Sequence, residues 1–365
     1  MEINISHPQL IKALELTSRI SVKHVTLPVL QCALIVVTED KILIKATNLE
    51  LSIEVELSGE IKKAGTVAVP MVTFLQSVQY INQETITLKT EGEVLLIESR
   101  QTKSKIKTIE SEDFPTVQAF EGVTIKINRS LFALGIKTTA FSASQSVIKP
   151  ELASVFIQQN KEHSLTFVAT DSFRLMEKTV PQKGVVLDKG LLIPQKNAIE
   201  LARVCDLLSS DPDLIVSENQ CALNFSEENV YITSRLVSGS FPDYQQIIPK
   251  EFSTHVTVLK SDLLNSFRKT GVFLNKFQQV TVNILVDSLV VSSNNDTVGQ
   301  VTDSVKAVVE GEELSLNFNQ QYLIEPLSHI TDDSVIMHFA GIGRPLVLAG
   351  VSDQTLRYLV MPMNR

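Results

Sequence analysis

VPMVTFLQSVQYI at 69–81 returns as IPQKNAIELARVC at 193–205 and again as FNQQYLIEPLSHI at 318–330, so the three starts lie 124 and 125 residues apart. The letters agree only loosely, and the spacing carries the reading. A period of that length marks a supersecondary unit repeated along the chain. Two more series keep the same rhythm. IKATNLELSIEVEL (44–57) pairs with FVATDSFRLMEKTV (167–180), which sets Ala46, Thr47 and Asn48 on Ala169, Thr170 and Asp171 at an offset of 123. ISHPQLIKALELTSRI from 5, INRSLFALGIKTTAF from 127 and LKSDLLNSFRKTGVF from 259 open the three units.

Each opening segment reads as an amphipathic helix. Ser6, Asn128 and Ser261 stand where an N-cap belongs, and Leu10, Leu14 and Thr17 mark the buried stripe of the first. Between helices lie runs rich in Val, Ile and Thr, such as 33–46 about Glu39-Asp40 and 280–293 about Asp287-Ser288, which read as hairpins. The fold class is therefore α+β: three repeated domains, each of antiparallel sheets with two helices on one face. The helix starts place the domains at 1–121, 122–249 and 250–365, with Pro242 and Pro249 favouring extended chain before the last boundary. Pro326 falls inside the second helix of the third unit and should kink or shorten it.

Composition bounds the function classes. The chain has 365 residues, 44% of them hydrophobic and 20% charged, enough to bury two or three cores. It shows no apolar run long enough for a membrane span, and MEINISHPQL lacks the basic-then-apolar plan of a signal peptide. Cys32, Cys205 and Cys221 form no CxxC spacing, so a reducing cytoplasm is the expected compartment.

The six histidines never fall within five residues of one another, and the sequence holds no phosphate-binding loop and no GxSxG elbow. GIGRP (341–345) reads as a turn. Asp171 resembles a catalytic acid only until its repeat counterpart, Asn48, is set beside it; an amide cannot be a general base, so a turn or cap is the expected role. No catalytic residue, no metal ligand set and no cofactor are expected.

A net charge of −8 argues against a surface coated in phosphate-binding groups. Its distribution says more. Lys12, Glu15, Arg19 and Lys23 recur at spacings of 3, 4 and 4 on one helix face; Arg129 and Lys137 share a face in the second unit, and Arg268, Lys269 and Lys276 oppose Asp262 in the third. The second helices carry Lys196 and Arg203 against Glu200 and Asp206, with Glu325 in the last. By this reading the six helices hold +5 and the remainder −13, out of a total of −8. Three such units set end to end with helices inward would make a weakly basic lining that touches phosphate without reading bases.

Four stretches in order, TLPVLQ (26–31), VATDSFRL (168–175), SRLVSGSFPDYQQIIP (234–249) and YLVMPMNR (358–365), resemble the bacterial sliding clamps, the beta subunits of replicative DNA polymerases, along the whole chain. The resemblance implies three DNA-clamp domains per subunit, a head-to-tail homodimer forming a ring on dimerisation around double-stranded DNA, and no catalytic role. It implies a pocket where the replicative polymerase, the clamp loader and repair polymerases insert a linear peptide. Carried over residue by residue, that pocket would use Thr170, Phe173, Arg174, Leu175, Pro242, Gln246, Ile247, Asn319, Tyr322, Val360, Met361, Pro362 and Met363. DNA-facing positions would be Lys12, Arg19, Lys23, His24, Lys196, Arg203, Arg268 and Lys269, and the dimer contact would pair Ile106 with Val272 or Phe273.

Two departures stand out: Phe173 follows Ser172 where the family usually has a small residue and then His, and Gln246 replaces a common Arg. Both make the rim more apolar and less basic. Ser104, where a large apolar residue is usual, predicts a weaker dimer. From the residues alone, a repeat-built binding scaffold without a DNA role and an enzyme of unrecognised constellation remain alternatives. The first predicts no topological link to DNA, and the second a perturbed acid, base or metal cluster in a pocket.

Overall fold

The three opening segments and the three that follow them form the six helices found among the described residues: α1 (His7–Ser18), α2 (Met71–Val78), α3 (Arg129–Thr139), α4 (Gln195–Leu207), α5 (Lys260–Thr270) and α6 (Gln320–Ile324). The structure, a computed structural model, describes residues 1–21, 26–116, 119–160, 163–184, 187 and 189–363. Repetition is visible at atomic detail. In the last turn of each first helix a buried threonine returns its hydroxyl to the carbonyl four residues back: Thr17 to Ala13 at 2.8 Å, Thr139 to Gly135 at 2.9 Å, Thr270 to Ser266 at 3.0 Å. The acceptor residue is small each time, because that turn lies against the sheet. The residue opening each second helix reaches the end of the first. Thr17 Oγ1 donates to Met71 Sδ at 3.9 Å; Gln195 Nε2 donates to the Ala140 carbonyl at 2.6 Å; Gln320 Nε2 donates to the Phe267 carbonyl and to Thr270 Oγ1 at 2.5 and 2.8 Å.

Pro326 acts as its ring requires. α6 stops at Ile324, and Glu325–Ser328 continue as a 3-10 turn with the proline in its first positions. The capping expectations hold only for Asn128, whose Oδ1 accepts from Leu131 N at 3.0 Å. Ser6 sits at the N-cap without a side-chain bond, and Ser261 lies inside α5, whose N-cap is Leu259.

Among the described residues the strands all pair antiparallel and fall in three sheets. One runs in the order Gly59–Lys63, Glu2–Ser6, Thr85–Glu91, Val94–Glu98, Lys103–Lys107. A second runs Val123–Lys126, Asp213–Val216, Gln220–Phe225, Val230–Arg235, Leu51–Leu57, Ile42–Thr47, Cys32–Val37, Gly65–Pro70. The third has twelve strands: Leu191–Pro194, Ser154–Asn160, Ser164–Thr170, Arg174–Pro181, Leu356–Val360, Leu346–Gly350, Ser334–Phe339, Thr254–Leu259, Gly299–Gly311, Ser288–Asn295, Gln279–Ile284, Leu314–Asn319. Both expected hairpins, 33–46 and 280–293, are present.

Two compact units result, Met1–Ala133 with Gly184–Val186 and Ile199–Leu236, and Leu134–Lys183 with Leu187–Ala198 and Val237–Arg365. The middle repeat is shared between them. The reason is strand pairing: Val230–Arg235 pairs with Leu51–Leu57 of the first repeat, and Arg174–Pro181 pairs with Leu356–Val360 of the third. Edge strands that would otherwise offer open backbone groups are thereby consumed. In the second unit, Phe267, Leu263, Phe318, Met337, Phe339 and Tyr358 anchor the core beneath α5 and α6. A smaller cluster of Val168, Leu175, Tyr244, Val347 and Leu359 lies beside it, on the other face of the sheet.

Candidate functional site

Thr170-Asp171-Ser172-Phe173-Arg174 makes a tight corner between two strands. Asp171 Oδ1 accepts from the amides of Phe173 and Arg174 at 2.9 and 3.0 Å, and Thr170 Oγ1 donates to the Arg174 carbonyl at 2.6 Å. Ser172 takes φ 80°. The counterpart in the first repeat is built the same way: Asn48 Oδ1 accepts from Glu50 and Leu51 at 3.0 and 2.7 Å, Thr47 Oγ1 donates to Leu51 O, and Leu49 takes φ 76°. Asp171 is a turn residue, as expected.

What distinguishes the second copy is Arg174. Its side chain is 10% exposed and ion-paired to Asp171 at 3.0 Å and to Glu325. It also donates to the Phe141 carbonyl at 3.0 Å and lies 4.4 Å over the Tyr322 ring. Its charge is balanced within the protein by two carboxylates, and three of its five N–H donors are spent on Asp171, Glu325 and Phe141, so Arg174 is held as part of a wall. Burial, with the Asp171 carboxylate beside it, pushes the Tyr322 phenol up and keeps it neutral.

The carried-over residues fall into two groups. Tyr322 lies under Arg174; Asn319 caps α6, the helix that carries Tyr322, by accepting from Gln321 N at 2.9 Å, and Met363 N donates to the Asn317 carbonyl at 2.8 Å. Leu175, one residue on, points to the opposite sheet face and is wholly buried with Tyr244, while Met361 packs on the same cluster. Pro242 and the 3-10 turn Tyr244–Ile247 run past that cluster, and Gln246 Nε2 donates to Asp243 at 2.8 Å. The Phe173 carbonyl, accepting from Met361 N at 2.8 Å, joins the two groups. Phe173 itself is 62% exposed and Ile247 49%. Val360 departs from the pocket expectation, because it is the fully buried end of an interior strand between Arg174–Pro181 and Leu346–Gly350. Met361, Pro362 and Met363, beyond the strand, are half-buried.

Sequence reasoning missed Phe141 and Glu325 as partners of Arg174. Glu325 was visible only as a charge in a helix, and nothing in the letters ties either residue to position 174. GIGRP is a turn, with Arg344 N donating to the Gly341 carbonyl at 3.2 Å.

Among the residues expected to face DNA, Lys12, Arg19 and Lys196 are exposed, as are Arg268 and Lys269. Lys269 pairs with Asp303 at 2.8 Å, and Arg268 donates to Asn265. Arg203 corrects the expectation: its guanidinium is paired with Glu200 at 2.6 Å, donates to the Leu16 carbonyl, and is 17% exposed, so it is spent on holding α4 to α1. Arg129 is likewise committed, to the carbonyls of Cys205 and Ser209. Lys23 and His24 lie outside the described residues. Arg19 follows α1 and Lys276 follows α5, whereas Lys260 lies within α5, so the helices in their observed bounds carry +4 and the rest of the chain −12. The sign separation survives the correction.

Of the dimer positions, Val272 is 65% exposed and Phe273 half-buried, but Ile106 is buried at 5% exposure. Its strand, Lys103–Lys107, presents three exposed lysines at a sheet edge instead.

Three family models of the DNA polymerase III beta subunit match this chain: the N-terminal domain over 1–118, the central domain over 126–243 and the C-terminal domain over 245–364. Proteins named beta sliding clamp from Vibrio cholerae and Pseudomonas putida are 25% and 26% identical to it, over all of both chains. The crystal structure of a DNA polymerase III beta subunit from Thermotoga maritima superposes with a TM-score of 0.94 at 25% identity, covering 100% of this chain and 99% of that one.

Proposed function

The chain belongs to the DNA polymerase III beta-subunit family, a non-catalytic processivity clamp, and from that premise we propose that two copies close head to tail around duplex DNA and tether polymerases to it. The observation that carries the reading is the threefold repeat, with a net +4 on its six helices, all of it in α3 and α5, against −12 on the rest of the chain. A lining of that kind touches phosphate weakly, without base readout, and permits sliding. We place the protein in the cytoplasm, with the chromosome it would serve.

Closure by a second copy is supported by unpaired sheet edges. In the first unit, among the described residues, Lys103–Lys107 pairs on one side only. In the second, Gly299–Gly311 pairs with Ser288–Asn295 along its first half and with Thr254–Leu259 only from Ala307 onward, which leaves the stretch about Asp303 open. Asp303 is paired with Lys269 within its own unit, so the lysine-bearing edge competes with Lys269 for it, and head-to-tail pairing of different edges generates a closed ring when the rotation closes. With Ile106 buried and Ser104 small, the Lys103–Lys107 edge offers little apolar area to the contact, so the dimer should be weak and salt-sensitive.

The peptide pocket is proposed at the rim formed by Phe173, Met361, Pro362, Met363, Tyr322, Asn319, Pro242 and Ile247. Its support is an adaptable methionine-rich apolar surface against a rigid corner, a surface suited to short peptides with apolar anchors. Polymerase, clamp loader and repair polymerases are the proposed donors of such peptides.

Native mass measurement tests the assembly. Twice 40.4 kDa at micromolar concentration, falling to one chain on dilution toward nanomolar or on raising salt, is the expected result. A monomer at every concentration contradicts the ring, and a dimer that survives nanomolar dilution contradicts the weak contact.

A further inference from the structure

On the sheet face turned away from the α5 core, strand register brings three side chains into one row. Glu310 stands opposite His255, and His255 opposite His338, on the neighbouring strands Gly299–Gly311, Thr254–Leu259 and Ser334–Phe339. Directly opposed residues share a face, with Cβ atoms about 5 Å apart. The face is fixed by the intervening residues, since Val256, Val258, Ala307, Met337 and Phe339 all enter the core on the other side. His255 and His338 are half-buried and Glu310 is exposed. The two Nδ1 atoms are 2.6 Å apart, the rings cross at 82° with centroids 4.9 Å apart, and Phe252 lies against both. Burial and the neighbouring His255 hold His338 below the ordinary histidine value, so its imidazole is neutral, the form that ligates metals.

We propose that His255, His338 and Glu310 form a site for a tetrahedral divalent cation of the zinc class, with water as the fourth ligand. Two nitrogens on such a cation, each at about 2.0 Å, stand roughly 3.3 Å apart at the tetrahedral angle, so the rings need to part by about 0.7 Å. Glu310 must turn toward them, because no three His, Cys, Asp or Glu side chains converge as placed among the described residues. Its exposure permits the turn; His255 stands one strand spacing away, about 4.8 Å, and His338 two, so the carboxylate must reach past the His255 strand. Bound there, the cation would cross-link three strands beside Phe252. The site is independent of the clamp reading and of the peptide pocket.

The test is a titration of the full chain, stripped of metal, with Co2+ followed by displacement with Zn2+. The expected result is one cation per chain with the visible absorption of tetrahedral cobalt, displaced by zinc, and a melting temperature raised by zinc. His255→Gln and His338→Gln should each weaken binding by at least about tenfold, and Glu310→Gln should weaken it and alter the cobalt spectrum. Glu310 is on the surface, so that variant decides the matter if a histidine variant fails to fold. Absence of binding, an octahedral spectrum, or affinity unchanged in these variants overturns the site and leaves the histidines as a hydrogen-bonded pair.

Discussion

Asp171 and Asn48 perform the same backbone task with different chemistry. Both accept two amides across a corner whose next residue takes a positive φ, yet only Asp171 also holds a guanidinium, Arg174, at 3.0 Å. Substitutions separate the two roles. Asp171→Asn keeps the turn acceptor and loses one of two carboxylates on Arg174, so it should cost about 1 kcal/mol; Asp171→Ala loses both contributions and should cost about 2 to 3 kcal/mol in urea unfolding. Equal costs would mean that charge and not the turn sets the corner. Asp353 gives a second handle. Burial pushes its carboxyl up, but hydrogen bonds from Lys178 and Thr355 outweigh that and hold it below the usual aspartate value. A folded value below the unfolded one adds stability that is present above the unfolded value and lost as pH falls through the folded one. Asp353→Asn should therefore flatten the stability curve below about pH 4 and leave its slope near neutrality unchanged. At this scale the sequence was legible where a repeat supplied a control, as Asn48 did for Asp171. It was silent where a partner comes from a distant segment, as Phe141 and Glu325 do for Arg174.

α1, α3 and α5 show how helices were legible and where the reading failed. Apolar spacing located all three, and the starts of α2, α4 and α6 follow the period read from the letters. The buried row of Ala13, Gly135 and Ser266, each accepting from a threonine one turn later, is also visible in the sequence once the segments are aligned. Caps were not legible at Ser6 and Ser261, because each helix follows directly on a strand whose backbone sets its entry. Strand ownership was not legible either: the middle repeat's strands join sheets of both neighbours, and pairing between edges leaves no mark on composition. Gly135 tests the packing argument. In a helix interior Gly→Ala gains up to about 1 kcal/mol, but a Cβ there would run into the Phe167 ring, and overpacking costs about 1 to 3 kcal/mol or more. Gly135→Ala should therefore be destabilising by about 1 to 2 kcal/mol in thermal or urea unfolding. A stabilised variant would show that α3 is loosely seated on the sheet.

Across the whole molecule, charge is divided by element, and sheet edges stay open in both units. The helices hold +4 and the rest of the chain −12, a separation that the loss of Arg203 and Arg129 to internal bonds thins without reversing. Contacts of that weakness cannot hold a protein on DNA by affinity at physiological salt, so topology has to do so. The direct measurement is to assemble the protein on a nicked circular plasmid with a clamp loader and ATP, isolate the complex, and cut the DNA once. Retention on the circle and loss from the linear product is the predicted result; equal retention on both, or no retention on the circle, would contradict an encircling clamp.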